Sequence, residues 1–155
     1  MWISSGKGDR VVDTYQTLND VLVNLFRDIM DLEQKAIITD EFKDISNNDM
    51  HIIDAIGEDG CKSMSTVAKA LSVTVGTLTI AINSLVKKGY VSRERSEEDR
   101  RVVLLSLSEK GKRAFLHHKK FHDAMIRKVL EGLNEQETEV LVKALQNLRG
   151  FFYGL

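Results

Sequence analysis

Residues 63–107 read SMSTVAKALSVTVGTLTIAINSLVKKGYVSRERSEEDRRVVLLSL, and this stretch decides the fold. Ser63 is placed to cap a short helix over 64–71, buried through Val67, Ala68 and Leu71. Ser72-Val73-Thr74 makes a tight connector. Thr74 then caps a longer helix over 75–88, which stops at Gly89, a common residue just past a helix end. In it Val75, Leu78, Ala81, Ile82 and Leu85 recur at the spacing of one buried face. After Gly89 the pattern changes, and 90–93 and 102–107 read as two short strands around a charged loop, 94–101. Helix, connector, longer helix and hairpin make a winged helix-turn-helix, in which the second helix can lie in the major groove of DNA.

The outward face of the longer helix fits that role. It carries Gly76, Thr77, Thr79, Ile80, Asn83, Ser84 and Lys87, small and polar with no acid. Threonine and serine bond phosphates or base edges, asparagine bonds adenine bidentately, and an aliphatic group meets a thymine methyl. An ordinary solvated face is richer in glutamate and lysine, which are better helix formers than threonine and serine. Ser63, Ser65 and Thr74 at the two helix starts join the candidate contacts. Arg93, Arg95, Arg100 and Arg101 make the hairpin cationic.

Asp99-Arg100-Arg101-Val102-Val103-Leu104-Leu105-Ser106-Leu107-Ser108-Glu109-Lys110-Gly111 resembles the wing signature of the MarR family: Asp-x-Arg, an apolar strand, then a Ser/Thr-x-Lys-Gly helix start. Helix order and lengths are similar over roughly 10–153. The resemblance implies a homodimer on duplex DNA, with Arg101 entering the minor groove and Asp99 bracing the wing arginines. The physics agrees, because a narrow minor groove attracts guanidinium and a carboxylate can fix its direction. Four stretches, 42–46, 49–57, 73–79 and 119–125, further resemble the fatty-acid-synthesis repressors within that family. That likeness implies long-chain acyl groups on acyl-carrier protein as corepressor.

Outward from this centre, the chain reads as mainly α with a small β-hairpin wing: three helices before the 75–88 helix and two after the hairpin. Ser46 with Asp49 opens a helix that carries Met50, Ile52, Ile53 and Ile56 and ends at Gly57. Ser108 caps a helix to about 132, and Asn134 with Glu137 caps the last one. Near the N-terminus Val11, Tyr15, Leu18, Leu22, Leu25, Ile29 and Leu32 step by 4 and 3, one continuous helical stripe, while residues 1–9 are expected to fray. Val12, Val21, Phe26 and Met30 widen that stripe beyond what one partner helix needs, as does the C-terminal Leu145, Leu148, Phe151 and Phe152. We therefore expect 46–107 to bind DNA and 10–45 with 108–155 to build an obligate homodimer facing a near-palindromic operator.

Charge is asymmetric. Residues 1–60 hold 13 acids and 5 bases, whereas 61–155 hold 10 acids and 17 bases, so a polyanion meets the second half. Between Lys110 and Lys128 there are seven Lys/Arg and one acid, Asp123. Lys119, Lys120 and His122 are the expected dock for an acidic carrier protein, with His51 a further effector-site candidate. Phe26, Met30, Met50, Ile53, Phe121 and Met125 are the expected lining for an acyl chain, methionine suiting variable shapes.

Other chemistries find less support. His118 and His122 have the i, i+4 spacing of a zinc pair, but no third ligand is evident, so a basic surface patch is expected and no metal or cofactor. Cys61 stands alone beside Lys62, which excludes an internal disulfide and fits a reducing cytoplasm; an oxidant sensor or one released by a small phenolic ligand is the rival reading. No catalytic triad, nucleophile elbow or phosphate-binding glycine loop occurs, so an enzyme is not expected. A winged helix used only for protein contact would be expected to lack the basic wing. Apolar residues at 43% and charged at 29% exclude whole-chain disorder. No apolar run reaches the roughly 18–20 residues of a membrane span, and no signal peptide is expected.

Overall fold

The computed structural model describes residues 8–154, with side chains from residue 13 onward. Most of the expected fraying segment and the side chains of Val11 and Val12 therefore lie outside the described residues. The order is α1 (Gly8–Asp20), a π-helical turn (Val21–Leu25), α2 (Phe26–Ile37), α3 (Asn47–Ile56), β1 (Lys62–Ser63), α4 (Met64–Ala70), α5 (Val75–Lys87), β2 (Val91–Arg95), β3 (Val103–Leu107), α6 (Glu109–Leu130) and α7 (Glu135–Tyr153). The chain forms two compact units, one ending at Phe115 and one beginning at Leu116.

In the first unit the caps set the helices as their sequences predict. Ser46 and Asp49 close a capping box at α3, and Ser63 and Thr74 accept from the backbone N–H groups of Thr66 and Thr77. Gly57 and Gly89 end their helices at φ of +73° and +83°, where a side chain would be strained. The angle between α4 and α5 is 107°, within the roughly 90–120° of a helix-turn-helix. Their connector contains Ser72 at φ +55°.

Three expectations need correction. The sheet has three antiparallel strands in the order β1-β3-β2, not two: Lys62 and Ser63 pair with Leu105 and Leu104. Glu94 and Arg95 belong to β2, paired with Leu104 and Val103, so the tip is shorter than 94–101. The N-terminal stripe is not one uninterrupted α-helix. A π turn interrupts it at Val21–Leu25, and beyond it α2 buries Glu33 and Ile37 while Leu32 stays 56% exposed.

The core of this unit gathers Ile37, Phe42 and Ile45 with the apolar faces of α3, α4 and α5, then Tyr90, Val91, Leu105, Leu107 and Ala114. Packing thus reaches beyond 46–107 into the end of α2 and the start of α6. Val75, expected on the buried face of α5, is 46% exposed; Leu78, Ile82 and Leu85 are buried. In the second unit Asn134 and Glu137 close the predicted capping box of α7. Among the described residues no single helix is long and apolar enough to cross a membrane.

Candidate nucleic-acid interface

The exposed face of α5 and the wing flank one open concavity of about 700 Å³. Six of the predicted contacts line it: Ser63, Ser65, Thr79, Arg93, Arg95 and Arg101. Gly76, Thr77, Asn83, Ser84 and Lys87 are exposed on α5 beside it, and Ile80 is 75% exposed. Local bonds decide what several of these groups present. Thr74 and Thr77 hydroxyls lie 2.9 Å apart, and Thr79 donates its hydroxyl to the Val75 carbonyl at 2.7 Å. Thr79 therefore offers a methyl group and lone pairs but no donor. Arg93 Nη1 donates to Asn83 Oδ1 at 2.5 Å, joining the wing to the helix face.

The wing tip is held by polar bonds that its sequence disguises. Ser96 Oγ accepts from Glu98 and Asp99 backbone N–H groups, and Arg95 Nη1 donates to the Arg100 carbonyl at 2.7 Å. Asp99 was expected to brace an arginine side chain. Its carboxylate instead accepts from the Arg101 backbone N–H at 2.9 Å, because two residues is the reach of an aspartate turn. Asp99 shapes the tip, and Arg95 is the arginine that ties it. Among the described residues the Arg101 guanidinium makes no hydrogen bond or ion pair.

The wing is anchored from behind. Ser108 Oγ donates to the Gly89 carbonyl at 2.6 Å and accepts from the Gly111 N–H, which fastens the start of α6 to the end of α5. Lys88 Nζ reaches Asp49 at 3.0 Å, and Lys110 Nζ donates to the Lys88 carbonyl at 3.1 Å. Lys88 was not singled out in the sequence, though its place before Gly89 was an available signal; Lys110 is the lysine of the Ser/Thr-x-Lys-Gly helix start.

The family model that matches residues 45–103 is that of the MarR family. A crystal structure of Streptococcus pneumoniae FabT in complex with DNA is similar at 43% identity and a TM-score of 0.83, covering 90% of this chain and 98% of that one. This chain belongs to the MarR family. The Bacillus subtilis HTH-type transcriptional repressor YetL is 26% identical, over 88% of this chain and 85% of YetL. An HTH-type regulator from the same organism, YpoP, is 31% identical over 101 residues, and the match spans 61% of its length.

Among this MarR-family chain's effector candidates, Met50 and Ile53 are packed in the core, at 1% and 0% exposure. Phe26 is 73% exposed, Met30 lies at the surface and His51 is exposed. In the second unit Lys119 and Lys120 are exposed, whereas Phe121, His122 and Met125 are half-buried. His118 is buried and its Nε2 lies 3.0 Å from His122 Nε2, so it does not belong to the basic surface patch expected of it. Cys61 Sγ lies 3.7 Å from Glu94 Oε1, and the neighbouring Lys62 ammonium donates to the Ala55 carbonyl.

Proposed function

We propose that this MarR-family regulator is a homodimeric repressor of fatty-acid-synthesis genes that binds a near-palindromic duplex operator. The observation that carries DNA binding is the single concavity on which six predicted contacts converge, three of them arginines. Guanidinium groups and acid-free helix faces suit a polyanion. In this reading α5 enters the major groove, and Arg101, with no partner of its own among the described residues, enters the minor groove. The 43% identity to FabT held on DNA supports the same placement, and with the four resembling sequence stretches it favours fatty-acid-synthesis genes as targets.

Dimerisation is supported by apolar surface that one chain leaves uncovered. Tyr15, Leu18, Val23 and Phe26 along the N-terminal helices are 55–76% exposed, and Val140, Phe151, Phe152 and Tyr153 on α7 are 61–79% exposed. Exposed patches of this kind mark interfaces. Two-fold symmetry would then set two α5 helices about 34 Å apart, one turn of DNA. The corepressor in this reading is a long-chain acyl group on acyl-carrier protein. It docks on the exposed basic face of α6 and shifts the dimer toward its DNA-competent spacing.

Fluorescence anisotropy on duplexes from upstream of fatty-acid-synthesis genes tests this, with and without long-chain acyl-carrier protein, at two salt concentrations. Tight, salt-dependent binding that the acylated carrier strengthens is expected. Binding no better than to scrambled duplex overturns the operator assignment. Unchanged or weaker binding with the acylated carrier overturns the corepressor. Monomeric light scattering at micromolar concentration overturns the dimer.

A further inference from the structure

The contact between Arg93 on β2 and Asn83 on α5 fixes the direction of an amide. A guanidinium has only N–H donors, so the atom that faces it at 2.5 Å must be the asparagine oxygen. The NH2 group of Asn83 then points away from Arg93. An unengaged asparagine offers adenine a donor and an acceptor together, to N7 and N6. Here one of the Asn83 oxygen's two lone pairs is held by a cation, so a bidentate grip on adenine would have to share the oxygen with the guanidinium, whereas the Asn83 NH2 stays free to donate. The neighbouring Thr79 adds no donor, because its proton goes to the Val75 carbonyl. Ile80, three residues before Asn83 and so on the same helix face, is 75% exposed and adds an aliphatic surface.

In the major groove guanine presents N7 and O6 and thymine presents O4, all acceptors. Adenine and cytosine present the amino groups N6 and N4, which oppose a second donor. We propose that Asn83, held by Arg93, acts as a donor-weighted reading unit that selects a keto base, guanine or thymine, on the contacted strand, with Ile80 favouring a thymine methyl beside it. Asn83 makes the base contact; Arg93 is a positioning residue that holds the amide in register. The assignment rests on the reading that α5 enters the major groove, and it replaces adenine, the base asparagine was expected to read.

The test is selection of the full chain on a library of duplexes with a random core, followed by anisotropy on the selected duplex and its single-base variants. The parent should prefer guanine or thymine by about tenfold at the position where Asn83→Ala brings the preference to within about twofold. Arg93→Ala should flatten that same position while leaving the unfolding midpoint of the protein unchanged. Asn83→Asp should turn the preference toward an amino base, because its second carboxylate oxygen accepts. On the unmodified protein, replacing the selected guanine by 7-deazaguanine, or the selected thymine by 5-methyl-2-pyrimidinone, should weaken binding about fivefold, since each removes one acceptor. Adenine at the Asn83-dependent position, or an Arg93→Ala protein that keeps the parent's preference there, overturns the donor-weighted unit while leaving DNA binding intact. If the parent selects no sequence and binds no duplex at low salt, the major-groove reading itself falls.

Discussion

The hydroxyl of Tyr90 donates to the carboxylate of Asp44 at 2.7 Å, across 46 positions of chain. Lys110 Nζ stands 4.1 Å from the centre of the same ring and 3.8 Å from the same carboxylate. The end of α5, the loop before α3 and the start of α6 thus meet at one buried ring. Burial, and then the Asp44 bond, raises the Tyr90 phenol above its ordinary range, while the Tyr90 bond holds the Asp44 carboxyl below its own. Tyr90→Phe should cost about 1 kcal/mol, below the range for a buried bond to a charged group because Asp44 is half exposed. A depressed carboxyl stabilises the fold above its unfolded value of about 3.9 and loses that contribution as pH falls through the lower folded value. Asp44→Asn should therefore flatten the acid limb of stability. A raised phenol contributes below about pH 10 and is lost as pH climbs beyond it, so Tyr90→Phe should flatten the alkaline limb. Urea unfolding across pH reads both.

Gly111 is required for space. A methyl group there would sit 2.0 Å from the Tyr90 carbonyl oxygen and 3.3 Å from Leu107 Cβ, and neither the backbone nor the strand can yield cheaply. Gly111→Ala should destabilise by about 3 kcal/mol or more, at or beyond the upper end for overpacking. Gly132→Ala meets nothing within 4 Å and needs no positive φ, so it should be neutral or stabilising by up to about 1 kcal/mol. Thermal unfolding of the two variants separates them. Gly111 lies in the sequence stretch that resembles the family's wing, and its packing against Tyr90 gives a physical reason for glycine at that place.

What was legible in the sequence was local. Caps at Ser46, Ser63, Thr74, Ser108 and Asn134 fall where short-range chemistry places them, and so do the glycine stops at Gly57 and Gly89. What was hidden depends on partners distant in the chain. β1 is two residues long and exists only because β3 lies beside it, so it has no period of its own to read. The π turn lies within a stripe that also reads as regular helix, so its residues carry no period of their own to mark it. Ser72 at φ +55° stands where glycine or asparagine is the usual signal. At the candidate site the residue types were legible but their bonds were not. The wing's own backbone engages Asp99, and Arg93 bonds the oxygen of Asn83.

Arg101→Ala should reduce operator affinity by about tenfold or more while leaving the unfolding midpoint within error, since its side chain makes no bond among the described residues. The slope of log affinity against log salt should fall by about one, as one cation is lost from the interface. Asp99→Ala should weaken binding less, through a looser tip, because Ser96 and Arg95 still hold it. Anisotropy at several salt concentrations distinguishes the two, and affinity within twofold of the parent for Arg101→Ala would refute the wing assignment.

The proposed corepressor surface is tested by charge reversal on α6. Lys119 and Lys120 are exposed and neither lines the concavity between α5 and the wing, so reversing them should spare basal operator binding at moderate salt. Acyl-carrier protein is small and acidic, and steering by a cationic helix mainly raises its encounter rate. Lys119→Glu with Lys120→Glu should therefore slow association of the acylated carrier by about tenfold and remove most of its effect on DNA affinity. The loss should shrink as salt rises, because exposed charges are screened over about 8–10 Å at physiological strength. Stopped-flow association of labelled acyl-carrier protein, with operator anisotropy in parallel, measures both. A double variant that still responds fully to the acylated carrier places the dock elsewhere. One that loses operator binding without any carrier present assigns this face to the DNA backbone instead.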